Sequence, residues 1–114
     1  MHVVDSNLTA RKLENDVGVE GAYAMFQHIK TPLMVSNRCI YSTVFNYDLP
    51  NGVFVNMSTS KGCNAIRESN AALQGKKDVL SESVVTYQKF EPLEDGSGVR
   101  ISAVICVELN GSMP

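Results

Sequence analysis

The sequence predicts a curved antiparallel β-sheet with few helical residues. Three observations carry that reading. Between 99 and 109, Val99, Ile101, Ala103, Ile105, Val107 and Leu109 are apolar at every second position, and Arg100, Ser102 and Glu108 are among the residues between them. Successive side chains of a strand point to opposite faces, so one face of this strand is continuously apolar and the other mixed, as in an antiparallel sheet with one covered side. Runs rich in β-branched and aromatic residues recur along the chain. Proline, glycine, asparagine and aspartate cluster between those runs, where turns need them.

Residues 1–9 are short and mixed and receive no assignment. Residues 10–17 suit a strand or one to two helical turns equally. From 21 to 29, the run Ala22-Tyr23-Ala24-Met25-Phe26-Gln27-His28-Ile29 reads as a strand. Thr31-Pro32 ends it, because proline cannot donate to a ladder. Residues 38–47 form the clearest strand of the first half, with Ile40, Tyr41, Thr43, Val44, Phe45 and Tyr47. Asp48-Leu49-Pro50-Asn51-Gly52 is a concentrated turn signal, and 53–59 resumes strand character. That pattern predicts a hairpin with a loop of about five residues.

Residues 60–78 differ in kind. They are mostly polar or flexible, including Ser60, Lys61, Gly62, Asn64, Arg67, Glu68, Gln74, Lys76 and Lys77. Residues 63–73 fit a helix stopped by Gly75 and fit a mobile loop equally well. Strand character returns over 83–90. Pro92 ends it, Glu94-Asp95-Gly96-Ser97-Gly98 turns the chain, and 99–109 is the last strand. About five or six strands result, and an apolar sheet face must be covered by something. The short polar helix offers little cover. The expected cover is a further part of a longer chain, a second copy, or a ligand.

Composition narrows the function classes. A chain of 114 residues fits one domain. At 44% hydrophobic and 19% charged residues it is too apolar for disorder. A net charge of -2 with a pI near 5.6 gives no general footprint for nucleic acid. Only 7% of residues are aromatic and none is Trp, which argues against a stacking platform for single strands. No run approaches ~18 consecutive apolar residues, and Met1-His2-Val3-Val4-Asp5 lacks the basic start and apolar core of a secretory leader. A soluble, cytoplasmic protein is the expectation.

The three cysteines, Cys39, Cys63 and Cys106, are odd in number and far apart. They predict neither a disulfide framework nor a metal site, but reduced thiols of an intracellular protein. Cys39 and Cys106 sit in strand-like runs and are expected to be buried. Cys63, in the loop near Lys61, is expected to be the most reactive. His2 lies near the terminus, and His28 lies late in its strand with no obvious carboxylate nearby, so no general base is assigned. Gly62 and Gly96-Ser97-Gly98 lack the features of a phosphate cradle. Asn7-Leu8-Thr9 matches a glycosylation acceptor formally, which matters only in a secreted protein. Lys76-Lys77 is too small to hold the chain on a membrane but suits transient docking, each residue contributing roughly 1 kcal/mol at an anionic surface. No catalytic residue, cofactor or metal is predicted.

Several phrases together resemble the START (StAR-related lipid transfer) domain. Thr31-Pro32 is followed by Ser36-Asn37-Arg38, leading into an aromatic and β-branched strand. Phe90-Glu91-Pro92-Leu93 precedes a turn. The end reads Val107-Glu108-Leu109-Asn110-Gly111-Ser112-Met113-Pro114, similar to the family's closing phrase. The resemblance runs from about residue 10 to 114. It implies an α+β helix-grip fold, with a long C-terminal helix across a curved antiparallel sheet and an apolar tunnel between them. Residues 1–114 are then a single START-like domain fragment without the family's N-terminal helices and C-terminal helix, carrying a polar loop or short helix as an insertion near 60–80. The sequence departs from the family at Leu33, where tryptophan is common, and at Cys39, where an aspartate is usual.

The resemblance implies lipid binding and intracellular lipid transfer, without catalysis. Sterol-binding relatives carry a buried acid and a buried arginine on neighbouring strands. Aligned on Asn37-Arg38, those positions fall on Met25 and Val44, so a charge pair for a sterol hydroxyl is not expected. Strand parity then gives the ligand-facing candidates. They are Tyr23, Met25 and Gln27 on one strand, Ile40, Ser42, Val44 and Asn46 on the next, and Ile101, Ala103, Ile105 and Val107 on the last. Tyr23, Gln27, Ser42 and Asn46 are the polar points for a head group. The expected partners are a lipid or other apolar small molecule, transient membrane contact and a homodimer through the uncovered apolar face, with no nucleic acid. The alternative is a non-catalytic protein-interaction module of the same fold without a cavity.

Overall fold

The structure, a computed structural model, describes residues 8–31 and 35–110. Its strands are β1 (Leu8–Lys12), β2 (Tyr23–Ile29), β3 (Arg38–Leu49), β4 (Val53–Thr59), β5 (Val79–Leu80), β6 (Glu82–Pro92) and β7 (Val99–Glu108), and its α-helix is α1 (Asn64–Ser69). They form one seven-stranded sheet in the order β1-β2-β3-β4-β6-β7, with β5 pairing β3 off that path. Every pairing along the path is antiparallel, and β5 alone runs parallel to its neighbour, at Arg38 and Cys39. The antiparallel sheet predicted by alternation is therefore the observed architecture, with more strands than expected. The two-residue β5 has too little sequence to signal itself. The stretch over 10–17 belongs to β1 only as far as Lys12.

The hairpin between β3 and β4 is tighter than the turn signal suggested. Leu49 pairs with Val53, so three residues, Pro50–Gly52, make the loop. Asn51 at φ 66° and Gly52 at φ 76° both take left-handed backbone, the property for which Asn-Gly is selected in tight hairpins. A Cβ at Gly52 would also lie 3.2 Å from the Pro92 ring.

Directly paired residues in an antiparallel ladder put their side chains on the same face. Ala24, Phe26, Cys39 and Tyr41 thus share one face, and segment 60–78 lies against it. Cys63 and Ile66 join those residues and Leu13 in the buried cluster, with Val17, Leu73 and Leu80 packed around it. The Phe26 and Tyr41 rings sit 5.0 Å apart, centre to centre. Tyr41 Oη donates to the Asn70 carbonyl at 2.9 Å, and the Asn70 amide donates to Asn15 Oδ1 at 2.8 Å. The polar segment is helical over 64–69 and adds a 3₁₀ turn over Ala71–Leu73. Its sparse apolar residues, Cys63, Ile66 and Leu73, cover the β2–β3 part of this face, whereas the apolar odd residues of 99–109, for which the sequence reading expected a cover, lie on the opposite face and are exposed.

At one end the sheet is gathered. β4 stops at Thr59, and the chain returns to pair with the start of β3. Arg38 donates to the carbonyls of Ser36 and, at 2.9 Å, of Asn110. Ser81 Oγ donates to the Leu109 carbonyl at 2.5 Å, and the Asn110 amide donates to the Leu80 carbonyl at 3.2 Å. The end of β7 is thereby tied to β3 and β5. No described helix is long and apolar enough to cross a membrane.

Candidate ligand-binding face

The opposite face begins on β2. Tyr23 pairs with Val44, Met25 with Ser42 and Gln27 with Ile40. Across the next interface Val44 meets Ser58 and Asn46 meets Asn56, and these in turn meet Thr86 and Gln88 of β6. Thr86 and Gln88 pair with Ile105 and Ala103, and Phe90 pairs with Ile101. Val107 pairs with Ser83 beyond the irregularity between Ser83 and Val85. The ladder therefore brings the candidates of β2, β3 and β7 onto one face.

Exposure divides that face. Ile40, Ser42 and Val44 are buried, while Tyr23, Met25 and Gln27 are half-buried. Asn46 is exposed, and so is every residue of β7, with Ile101 at 60% and Ile105 at 64%. Met25 and Val44 lie diagonally across the β2–β3 ladder, within reach of each other and without the acid–arginine pair of sterol-type sites. Sequence parity omitted the bridging residues Phe54, Asn56 and Ser58 of β4 and Thr86, Gln88 and Phe90 of β6. Alternation within those strands was the available signal, but only the register links them to the rest. Phe54 and Phe90 place their rings 5.9 Å apart, and Asn56 donates to Asn46 Oδ1 at 2.6 Å. Lys12 pairs with Met25 in register and holds its ammonium 5.1 Å from the centre of the Tyr23 ring.

Ser42 is the polar point at the buried centre. Its hydroxyl is inaccessible and has no hydrogen-bond partner among the described residues. It stands between Ile40 and Val44 on its own strand and opposite Met25. Leaving a buried hydroxyl without a partner costs about 1–3 kcal/mol.

Titratable groups collect on the other face and correct three expectations. His28 does have a carboxylate, with Asp78 Oδ2 lying 3.2 Å from its Nε2. The pair is remote in sequence, so inspection around residue 28 could not show it. Cys39 stands opposite His28 in the ladder, which assembles cysteine, histidine and aspartate in one region. The chemistry runs against a nucleophile: burial, and secondarily the charge of Asp78, pushes the Cys39 thiol up to about 11. Cys63, expected to be reactive, is buried beneath the segment that contains it, with its sulfur 3.4 Å from Thr43 Oγ1. Cys106, expected to be buried, is exposed because neither face of β7 is covered. Burial raises the Tyr41 phenol as well, helped by Cys39 and opposed by Arg67. A cleft of about 30 Å³ lined by Tyr41, Cys63, Asn64 and Arg67 has room for a water rather than an acyl chain. No metal-binding cluster occurs among the described residues. Asn7, Pro32, Leu33 and the phrase Gly111-Ser112-Met113-Pro114, named in the sequence reading, lie outside the described residues.

No family model matches the chain, and no curated protein matches it in sequence. Solved structures do match its fold. The crystal structure of human STARD10 superposes with a TM-score of 0.75 at 19% identity, covering 96% of this chain and 41% of that one. Human StAR-related lipid transfer protein 5 superposes with a TM-score of 0.71 at 14% identity, covering 96% of this chain and 50% of that one. The chain spans half or less of the length of either neighbour. In fold, the described residues match part of these START structures, as one antiparallel-rich sheet with a short α-helix.

Proposed function

We propose that the chain binds an apolar, lipid-type molecule across the β2–β3 part of the Ser42 face, as a non-catalytic lipid-binding and lipid-transfer module of the cytoplasm. The observation that carries this reading is the Ser42 hydroxyl, buried and without a partner among the described residues, with Met25, Ile40 and Val44 around it. Each CH₂ removed from water against those side chains contributes about 0.8 kcal/mol, and Ser42 supplies the directional contact for a polar head. Among the described residues, the side chains paired around Ser42 are Tyr23, Met25, Gln27, Ile40 and Val44, a set without carboxylate, histidine or cysteine. One structural neighbour is by name a lipid transfer protein, which supports the reading. The exposed Lys76 and Lys77 suit transient contact with an anionic bilayer, and the uncovered apolar side of β7 makes a second copy of the chain the other partner.

The test is extraction of phospholipid from phosphatidylcholine vesicles by the purified full chain. Protein-bound lipid is expected, and Ser42→Ala is expected to lower the amount bound while leaving the circular dichroism spectrum unchanged. A chain that extracts no lipid contradicts the proposal.

A further inference from the structure

A second polar group of the Ser42 face lies further across the sheet, on β3, β4 and β6. Asn46 pairs with Asn56, and Asn56 with Gln88, so three carboxamides stand in one rung across three strands. One rung along, Val44 pairs with Ser58 and Ser58 with Thr86, which sets two hydroxyls beside the carboxamides. One rung the other way, Phe54 pairs with Phe90, and their rings lie 5.9 Å apart at 39°. Rungs on one face recur every two residues, about 7 Å apart.

The chemistry of this patch is uncharged and two-sided. A carboxamide carries both donors and acceptors, and so does a hydroxyl. Asn56 donates to Asn46 Oδ1 at 2.6 Å, which leaves the Asn46 NH₂ group and the Asn56 carbonyl oxygen for another partner. No described residue engages the Gln88 side chain by a hydrogen bond. The charge nearest in register is the carboxylate of Asp48, which pairs with Phe54. Lys12 meets the same face at Met25, and its strand lies three steps from that of Asn56, roughly 14 Å away. A phosphate placed on the patch meets a carboxylate and no cation among the described residues in register with it. A ring of hydroxyls meets donors, acceptors and an aromatic surface for its C–H face.

We infer that the Asn46–Asn56–Gln88 rung recognises an uncharged, polyhydroxylated ring of the sugar type, seated against Phe54 and Phe90. In its lipid form this rests on the reading that an apolar ligand lies on the Ser42 face, and it names the class of the head group. The hydrocarbon lies toward Met25, Ile40 and Val44, and the ring lies over β4 and β6. A glycolipid head and a free sugar offer the same chemistry to the rung.

The test uses the full chain and phosphatidylcholine vesicles doped with equal amounts of ceramide and glucosylceramide, which differ in the sugar alone. Protein-bound lipid is quantified by mass spectrometry. Wild type is expected to prefer glucosylceramide over ceramide roughly tenfold. Gln88→Ala breaks no hydrogen bond to a described residue, and Asn56→Asp keeps the side-chain size. Each is expected to lower the preference roughly fivefold, with the bound phosphatidylcholine not reduced and the circular dichroism spectrum unchanged. Methyl β-glucoside in solution distinguishes the two sources. If it shifts the side-chain amide signals of Asn46, Asn56 and Gln88 while glucosylceramide is not preferred, the ring is a free sugar. Equal uptake of ceramide and glucosylceramide with no amide shift overturns the inference and leaves the lipid reading standing. A preference that survives both substitutions also overturns it, because the sugar then lies elsewhere. No bound lipid of any kind, with no amide shift, contradicts both readings.

Discussion

Ser42 stands directly opposite Met25 in the β2–β3 ladder, and its hydroxyl is buried without a hydrogen-bond partner among the described residues. Removing the hydroxyl therefore removes a desolvation cost and no bond. Ser42→Ala is expected to leave the ligand-free chain equally stable or more stable, by up to about 1–3 kcal/mol. Chemical denaturation measures this. A destabilisation above about 1 kcal/mol would show that the hydroxyl is already satisfied.

The covered face, rather than the Ser42 face, is expected to hold most of the folding energy. Phe26→Ala opens a space beside Tyr41 and should cost about 3–5 kcal/mol. Ile101→Ala, on the exposed β7, should change stability by no more than about 0.5 kcal/mol at concentrations too low for self-association. Comparable losses from the two substitutions would contradict this division.

Tyr41 ties the helical segment to the sheet through the Asn70 carbonyl. Tyr41→Phe keeps the ring contact with Phe26 and loses that bond, for an expected cost of about 0.5–1.5 kcal/mol. Amide exchange should accelerate over 64–73 more than over β3. Uniform acceleration would mean that the segment has no separate anchor.

The thiols should differ in reactivity. Cys106 is exposed, and Cys39 and Cys63 are buried, so maleimide should label Cys106 first in the native chain. Preferential labelling of Cys63 would contradict the packing of α1. Cys39 also gives a pH signature. Its thiol is raised from about 9 to about 11, so the folded state favours the neutral form. The stability this contributes is complete below pH 9 and is lost as the pH rises through 11. Cys39→Ala should flatten the loss of stability across that interval.

Much of this arrangement was legible in the sequence, and what was not has a physical cause. Alternation along 99–109 gave the parity of β7, and runs of aromatic and β-branched residues gave β2, β3, β4 and β6. The same parity named Met25, Ser42 and Val44, which the ladder brings together. Three features escaped because they depend on contacts remote in sequence. The His28–Asp78 pair forms only when segment 60–78 folds over β2 and β3. Cys63 is buried by that same fold. Cys106 is exposed because no described residue covers either face of β7, which no local pattern reports. For that reason a bulky residue at the exposed Ala103 says little about whether the face is filled, and the buried Val44 is the better probe.

The most direct test of the central claim is native mass spectrometry of the full chain after exposure to phosphatidylcholine vesicles. One lipid per chain is expected, with occupancy reduced in Val44→Phe and Ser42→Ala variants that retain the wild-type circular dichroism spectrum. A wild-type chain that carries no lipid, or one whose occupancy is unchanged by both substitutions, would contradict a ligand site on the Ser42 face.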